Sequence, residues 1–116
     1  MSRRSNAAVA QTELQANIFA ALGDTTRLTL VTRLIDGQSH SIANLTEGTQ
    51  VTRQAITKHL TVLEGVGLVS STKAGRENLY ALNPKPLESI QKYLNVIAAQ
   101  WDDALMNLKV FVEKAE

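Results

Sequence analysis

VTRQAITKHLTVLEGVGLVSSTKAGRENLYAL, residues 51–82, changes its periodicity halfway, and that change decides the fold. Up to Gly65 the apolar residues repeat at helical spacing. With Ile56 set at zero and about 100° per residue, Leu60 and Leu63 fall within about 40° of it, while Gln54, Thr57, Lys58 and Thr61 lie about 100° to 160° away. A helix over about 52–65 is predicted, apolar on one face and polar, with long hydrogen-bond donors, on the other. Thr52 is its N-cap, a hydroxyl that accepts one of the unpaired N–H groups of the first turn. From Leu68 to Lys73 and from Asn78 to Leu82 the chain reads as two short strands. Ala74, Gly75, Arg76 and Glu77 lie between them, and Gly75 can adopt the positive φ of a tight turn. A hairpin over about 68–82 therefore follows the helix.

Upstream, Leu14, Ile18 and Leu22 fall four apart, which predicts a first helix from Thr12 that Gly23 ends. Asp24 is placed to cap a second helix, with Leu28, Val31, Leu34 and Ile35 as its apolar stripe up to Gly37. Ser41 caps a short third helix that carries Ile42 and Leu45 and ends near Gly48. Residues 1–11 are expected to form a flexible polar arm. Downstream, Pro84 and Pro86 suit a first helical turn, which can spare their missing N–H groups. Leu87, Ile90, Leu94, Ile97, Trp101, Leu105, Leu108 and Val112 then advance in steps of three and four, predicting a helix over about 86–114. Such a helix is roughly 45 Å long, more than a body of this size can cover. Part of its stripe calls for a second chain.

With 116 residues, the chain fits a single domain, expected over 12–116. It has no cysteine, which removes disulfides, thiolate metal ligands and cysteine nucleophiles and agrees with a reducing cytoplasm. No stretch approaches the roughly 18 apolar residues of a membrane span, and Arg3 and Arg4 are not followed by the apolar run of a signal peptide. The net charge is +1, but it is unevenly placed. Residues 1–83 hold eight Lys and Arg against six Asp and Glu, and residues 84–116 hold four against five. No nucleophile with its base, phosphate-binding glycine loop or metal triad appears, so an enzyme is not expected. Two histidines, His40 and His59, cannot build a three-histidine site, and His40 is expected to be an ordinary surface residue of a loop. No cofactor and no metal site are expected.

Three stretches, FAALGDTTRLTLVTRL at 19–34, QAITKHLTVLEGVGLV at 54–69 and GRENLYAL at 75–82, resemble the ArsR/SmtB family of bacterial transcriptional repressors. The resemblance spans about residues 14–112. It implies a winged helix-turn-helix: a mainly α fold of five helices with a small β-hairpin wing, dimerising through the first and last helices. Its partners would be double-stranded DNA and a second copy of the chain. The dimer interface would comprise Leu14, Ile18, Ile90, Tyr93, Leu94, Ile97, Trp101, Leu105 and Leu108, in agreement with the uncovered stripe of the last helix.

A recognition helix at 52–65 would enter the major groove with the residues near its N-terminus facing base edges. Arg53, Gln54, Thr57 and Lys58 are those residues. Arg and Lys donate to guanine, Gln pairs with adenine, and Thr touches a phosphate or the thymine methyl. Taken alone, Arg53 and Lys58 would read as a solvated helix face. Lys73 and Arg76, on or beside the hairpin tip, would meet the minor groove or the backbone. Ser41 and Thr52, at helix starts, add backbone contacts. His59 lies about 60° from the core direction and occupies a histidine position of the family motif, which implies a partly buried structural or phosphate-contacting role.

Departures from the family concern sensing. Where many members carry a metal-binding cysteine pair, this chain has Ile42, Ala43, Asn44 and Leu45, and its last helix has Asp102 and Asp103 but no histidine. Adjacent carboxylates project about 100° apart on a helix and make a poor metal pair. A small organic effector, a protein partner or no ligand at all stay open. The expectation is a homodimeric repressor reading an imperfect palindrome, with half-sites about one DNA turn apart. Its rivals are a dimeric winged-helix module that binds protein, and a metal-responsive repressor with oxygen ligands on the last helix.

Overall fold

A computed structural model describes residues 3–115, in the order α1 (Arg3–Leu22), α2 (Thr25–Arg33), a 3-10 turn (Leu34–Asp36), β1 (His40–Ser41), α3 (Ile42–Thr46), α4 (Arg53–Gly65), β2 (Val69–Ala74), β3 (Glu77–Leu82) and α5 (Pro84–Ala115). The predicted caps set the helix starts. Asp24 accepts the Arg27 N–H at 3.0 Å, Ser41 accepts that of Asn44 at 3.1 Å and Thr52 that of Ala55 at 3.1 Å. Caps of this kind contribute about 1 kcal/mol each. Gly75 turns the hairpin with φ of 63°, a conformation that strains other residues.

The hairpin is part of a three-stranded antiparallel sheet in the order β1-β3-β2. Ser71 faces Tyr80 across β2 and β3, and His40 faces the same Tyr80 from the other side. The two-stranded expectation missed β1 because two residues carry no periodicity. Beneath the sheet, Leu30, Leu34, Leu45, Ile56, Leu60, Leu63 and Leu68 are fully buried, joined by Val31, Val69, Tyr80 and Ile90 and by Ile18 and Ala21 of α1. Every helix except the far part of α5 contributes to this core.

Three boundaries or faces differ from expectation. The arm expected over 1–11 is helical from Arg3, while Met1 and Ser2 lie outside the described residues. Ala7, Ala8 and Ala10 favour the helix, and no glycine or proline interrupts it before Gly23. In α2 and the 3-10 turn that follows it, Leu28 and Ile35 are exposed, and the buried residues are Leu30, Val31 and Leu34. The inward register runs 27, 30, 31, 34, and because Arg27 fills its first position the apolar spacing alone pointed elsewhere. Finally, α5 starts at Pro84 rather than 86. Asn83 fixes this start: its Oδ1 accepts the Lys85 N–H at 3.3 Å, while its own N and Nδ2 donate to the Leu68 and Gly67 carbonyls at 2.9 and 3.0 Å.

The chain extends well beyond its core. Its radius of gyration is 19.6 Å, against roughly 13 Å for a compact domain of this length. Ile90 is the last buried residue of α5; Ile97 is half-buried, and Leu94, Trp101, Leu105 and Leu108 are exposed. Tyr93, also exposed, meets the Phe19 ring of α1 at 6.2 Å between centroids. Leu14 is exposed on α1. Ile18 and Ile90, expected at a dimer interface, are only 7% and 6% exposed, closed over within one protomer. They leave a partner little to cover.

Candidate nucleic-acid interface

The face of α4 turned away from Ile56, Leu60 and Leu63 carries Gln54, Thr57 and Lys58, and Arg53 lies in the first turn about 60° from Ile56; all four are exposed. Gln54 and Lys58 are one helical turn apart and project together. Thr57 donates its hydroxyl to the Arg53 carbonyl at 2.8 Å, and Thr61 donates to the Thr57 carbonyl at 3.0 Å. With that proton engaged, Thr57 presents outward a methyl group and hydroxyl lone pairs. Thr52 is exposed at the helix start, with its hydroxyl accepting the Ala55 N–H.

The wing stands beside this face. Lys73 pairs in register with Asn78, and Arg76 follows Gly75 at the turn, both side chains exposed. A notch of about 200 Å³ lies where α3, α4 and the hairpin converge, bordered by Ser41 and Ile42, by Arg53, and by Arg76, Glu77 and Asn78. Arg53 also borders a wider hollow of about 500 Å³, which continues along Asn44 and Glu47. Thus three of the residues singled out in sequence, Ser41, Arg53 and Arg76, border one depression, while Gln54, Thr57 and Lys58 continue along α4.

His59 is oriented differently. Its Nδ1 lies 3.3 Å from Arg27 Nη1 and 3.8 Å from Asp24 Oδ2, so the ring is turned toward α2. An arginine N–H can only donate, which assigns the lone pair to Nδ1 and the proton of the neutral ring to Nε2. Arg27 reaches further: its Nε donates to the Ala21 carbonyl at 2.7 Å. It therefore connects the carbonyl end of α1, the start of α2 and the side of α4. Accepting the Arg27 backbone N–H, with the guanidinium nearby, holds the Asp24 carboxyl below its ordinary range. Sequence reasoning missed this role of Arg27, although an arginine at an inward helical position was the available signal.

Two further polar ties brace the site from behind. Arg33 Nη1 donates to the Leu45 and Glu47 carbonyls, each at 2.8 Å, closing the end of α3. His40, expected to be an ordinary surface residue of a loop, lies between Asp36 and Asn44: Nε2 is 2.8 Å from Asp36 Oδ2, and Nδ1 is 2.7 Å from Asn44 Oδ1. The chain turns between these residues, so their spacing in sequence did not show that they meet. The Asn44 hydrogen bond, and then that of Asp36, raise the His40 pKa above its ordinary value. The Asp36 carboxyl is lowered, first by the Gln38 N–H and then by His40. Among the described residues no group of three or more His, Asp or Glu side chains could hold a metal ion, and no helix is long and apolar enough to cross a membrane.

Residues 26–85, from α2 to the first turn of α5, match the family model described as "Protein adenylyltransferase SoFic-like, C-terminal domain". The activity in that description is said of the proteins it names; the segment matched here is the winged helix. An ArsR-like transcriptional regulator from Rhodococcus sp. RHA1 superposes with a TM-score of 0.73 at 39% identity, over 86% of this chain and 93% of that one. The chain belongs to the ArsR family of winged helix-turn-helix transcriptional regulators. The uncharacterized HTH-type transcriptional regulator YuzN of Bacillus subtilis is 38% identical to this ArsR-family chain over 81 residues, 65% of it and 88% of YuzN. The homodimeric winged helix-turn-helix DNA-binding domain of Mb0332 from Mycobacterium bovis shares the fold, with a TM-score of 0.60 at 21% identity over 90% of this chain and 91% of that one.

Proposed function

We propose that this ArsR-family regulator is a cytoplasmic, homodimeric repressor that binds an imperfect palindrome in double-stranded DNA and catalyses no reaction. One observation carries the reading: Arg53 of α4 and Arg76 of the wing border the same notch, so helix and wing offer cations on one side of the molecule. Gln54, Thr57 and Lys58 meet base edges in the major groove, and Lys73 and Arg76 meet the backbone or minor groove. Affinity comes chiefly from neutralised phosphates and released counterions, and sequence choice from the outward face of α4. The exposed apolar side of α5, with Leu14 of α1, supports the dimer. A twofold axis then sets two copies of α4 about one DNA turn apart.

The test is binding to the duplex upstream of the protein's own gene, compared with unrelated DNA at two salt concentrations, with molecular mass measured by light scattering. Preferential binding that weakens steeply with salt, by a species of twice the chain mass, is the expected result. Equal binding to both duplexes at both salts overturns it in favour of a protein-binding winged helix.

A further inference from the structure

We infer that the notch between α3, α4 and the wing seats one phosphate of the DNA backbone, held jointly by Arg53 and Arg76. The inference rests on the DNA-binding reading above and adds a specific pairing: two cations from elements 23 residues apart in sequence act on the same phosphate. Sequence had given them separate tasks, one at base edges and one at the minor groove.

Arg53 and Arg76 both line a notch of about 200 Å³, and like charges placed around one concave surface repel. Carboxylates are near enough to relieve this. Glu77 borders the same notch and Glu47 the adjoining hollow. Among the described residues, however, neither Arg53 nor Arg76 forms an ion pair within 4 Å, and neither donates a side-chain hydrogen bond. By contrast, Arg27 and Arg33 are engaged by backbone carbonyls. The two notch arginines thus keep their full sets of donors for an outside acceptor, and a guanidinium fork matches two oxygens of a phosphate. Asn78 adds an amide at the rim. Ser41 adds a hydroxyl whose oxygen accepts the Asn44 N–H, leaving its own proton to donate. An anion with several acceptor oxygens fits this set of donors.

Arg53→Gln and Arg76→Gln test the pairing on the preferred duplex, scanned with single uncharged methylphosphonate linkages. Both side chains are exposed, and circular dichroism checks that the variants fold. Each substitution is expected to weaken binding to the ordinary duplex about tenfold, a scale set by losing a charged hydrogen-bonding partner. At one linkage, or its twofold mate, neutralisation should make both substitutions nearly silent, with each effect falling below about twofold, because the acceptor they share is already gone. Silencing of the two substitutions by different linkages overturns the shared seat while leaving DNA binding intact. Inorganic phosphate that saturates the site below millimolar concentration assigns the notch to a free anion and also overturns it. A wild-type protein with no duplex preference fails earlier and points to the functional reading itself.

Discussion

The winged body and the distal part of α5 are built from helices with equally regular apolar stripes, yet only the body covers its stripe. Ile56, Leu60 and Leu63 of α4 are fully buried, whereas Trp101 and Phe111 of α5 are 65% and 71% exposed. Length separates them. The 13 residues of α4 span roughly 20 Å and lie within the body, while the 32 of α5 reach roughly 48 Å and run past it. Periodicity therefore identifies an apolar face, and the size of the surrounding fold determines whether the same chain can cover it.

The strongest way to break this contrast is truncation in each region. Leu60→Ala should cost about 2–5 kcal/mol of unfolding free energy, read from urea titration, because a cavity opens in a closed core. Leu105→Ala should cost nearly nothing in protomer dilute enough to be monomeric; a loss there equal to that of Leu60→Ala would mean that α5 folds back on its own body. Next, Trp101→Glu should weaken self-association by about 2 kcal/mol or more, the scale of an aromatic anchor buried at an interface. Its molecular mass by light scattering should fall toward that of one chain with helicity retained. An unchanged mass would place the dimer contact elsewhere.

Two smaller effects sharpen the body's side of the comparison. Thr52→Ala should lower stability by about 1 kcal/mol, and Thr52→Ser by much less, since the serine hydroxyl can still accept the Ala55 N–H. Equal losses in thermal unfolding would show that the methyl group, not the cap, matters. The His40 tie has a pH signature. The raised His40 pKa adds stability that is full below its ordinary 6.5 and is lost as pH rises through the higher folded value. The lowered Asp36 pKa adds stability present above 3.8 and lost as pH falls through the lower folded value. The stability difference between wild type and His40→Gln should therefore be largest between 3.8 and 6.5 and shrink on both sides. A difference independent of pH would leave His40 a neutral packing residue.

What could be read from sequence divides along similar lines. Asp24, Ser41 and Thr52 as caps, Gly75 as the hairpin turn and the two faces of α4 were legible because each depends on residues within about one turn of one another. The inward register of α2 was concealed by Arg27, whose partners are carbonyls of α1 and a histidine of α4. The two residues of β1 are a strand only because β3 lies beside them. Among candidate site residues, the exposure of Gln54, Thr57 and Lys58 followed from the helical wheel, whereas Arg53, about 60° from Ile56 on that wheel, is exposed all the same. That Arg53 and Arg76 share a depression required the folded chain, as did the direction in which His59 turns.

The sheet order leaves β2 with one side unpaired, since β3 occupies the centre and β1 its far flank. Unpaired strand edges are where separate molecules annex one another into continuous sheets. Here that edge is six residues long and carries Ser70, Ser71, Thr72 and Lys73, all exposed. Its lysine and the lack of large apolar side chains at those exposed positions make it a poor template, so the protein can project a thin sheet into solvent with little tendency to aggregate along it.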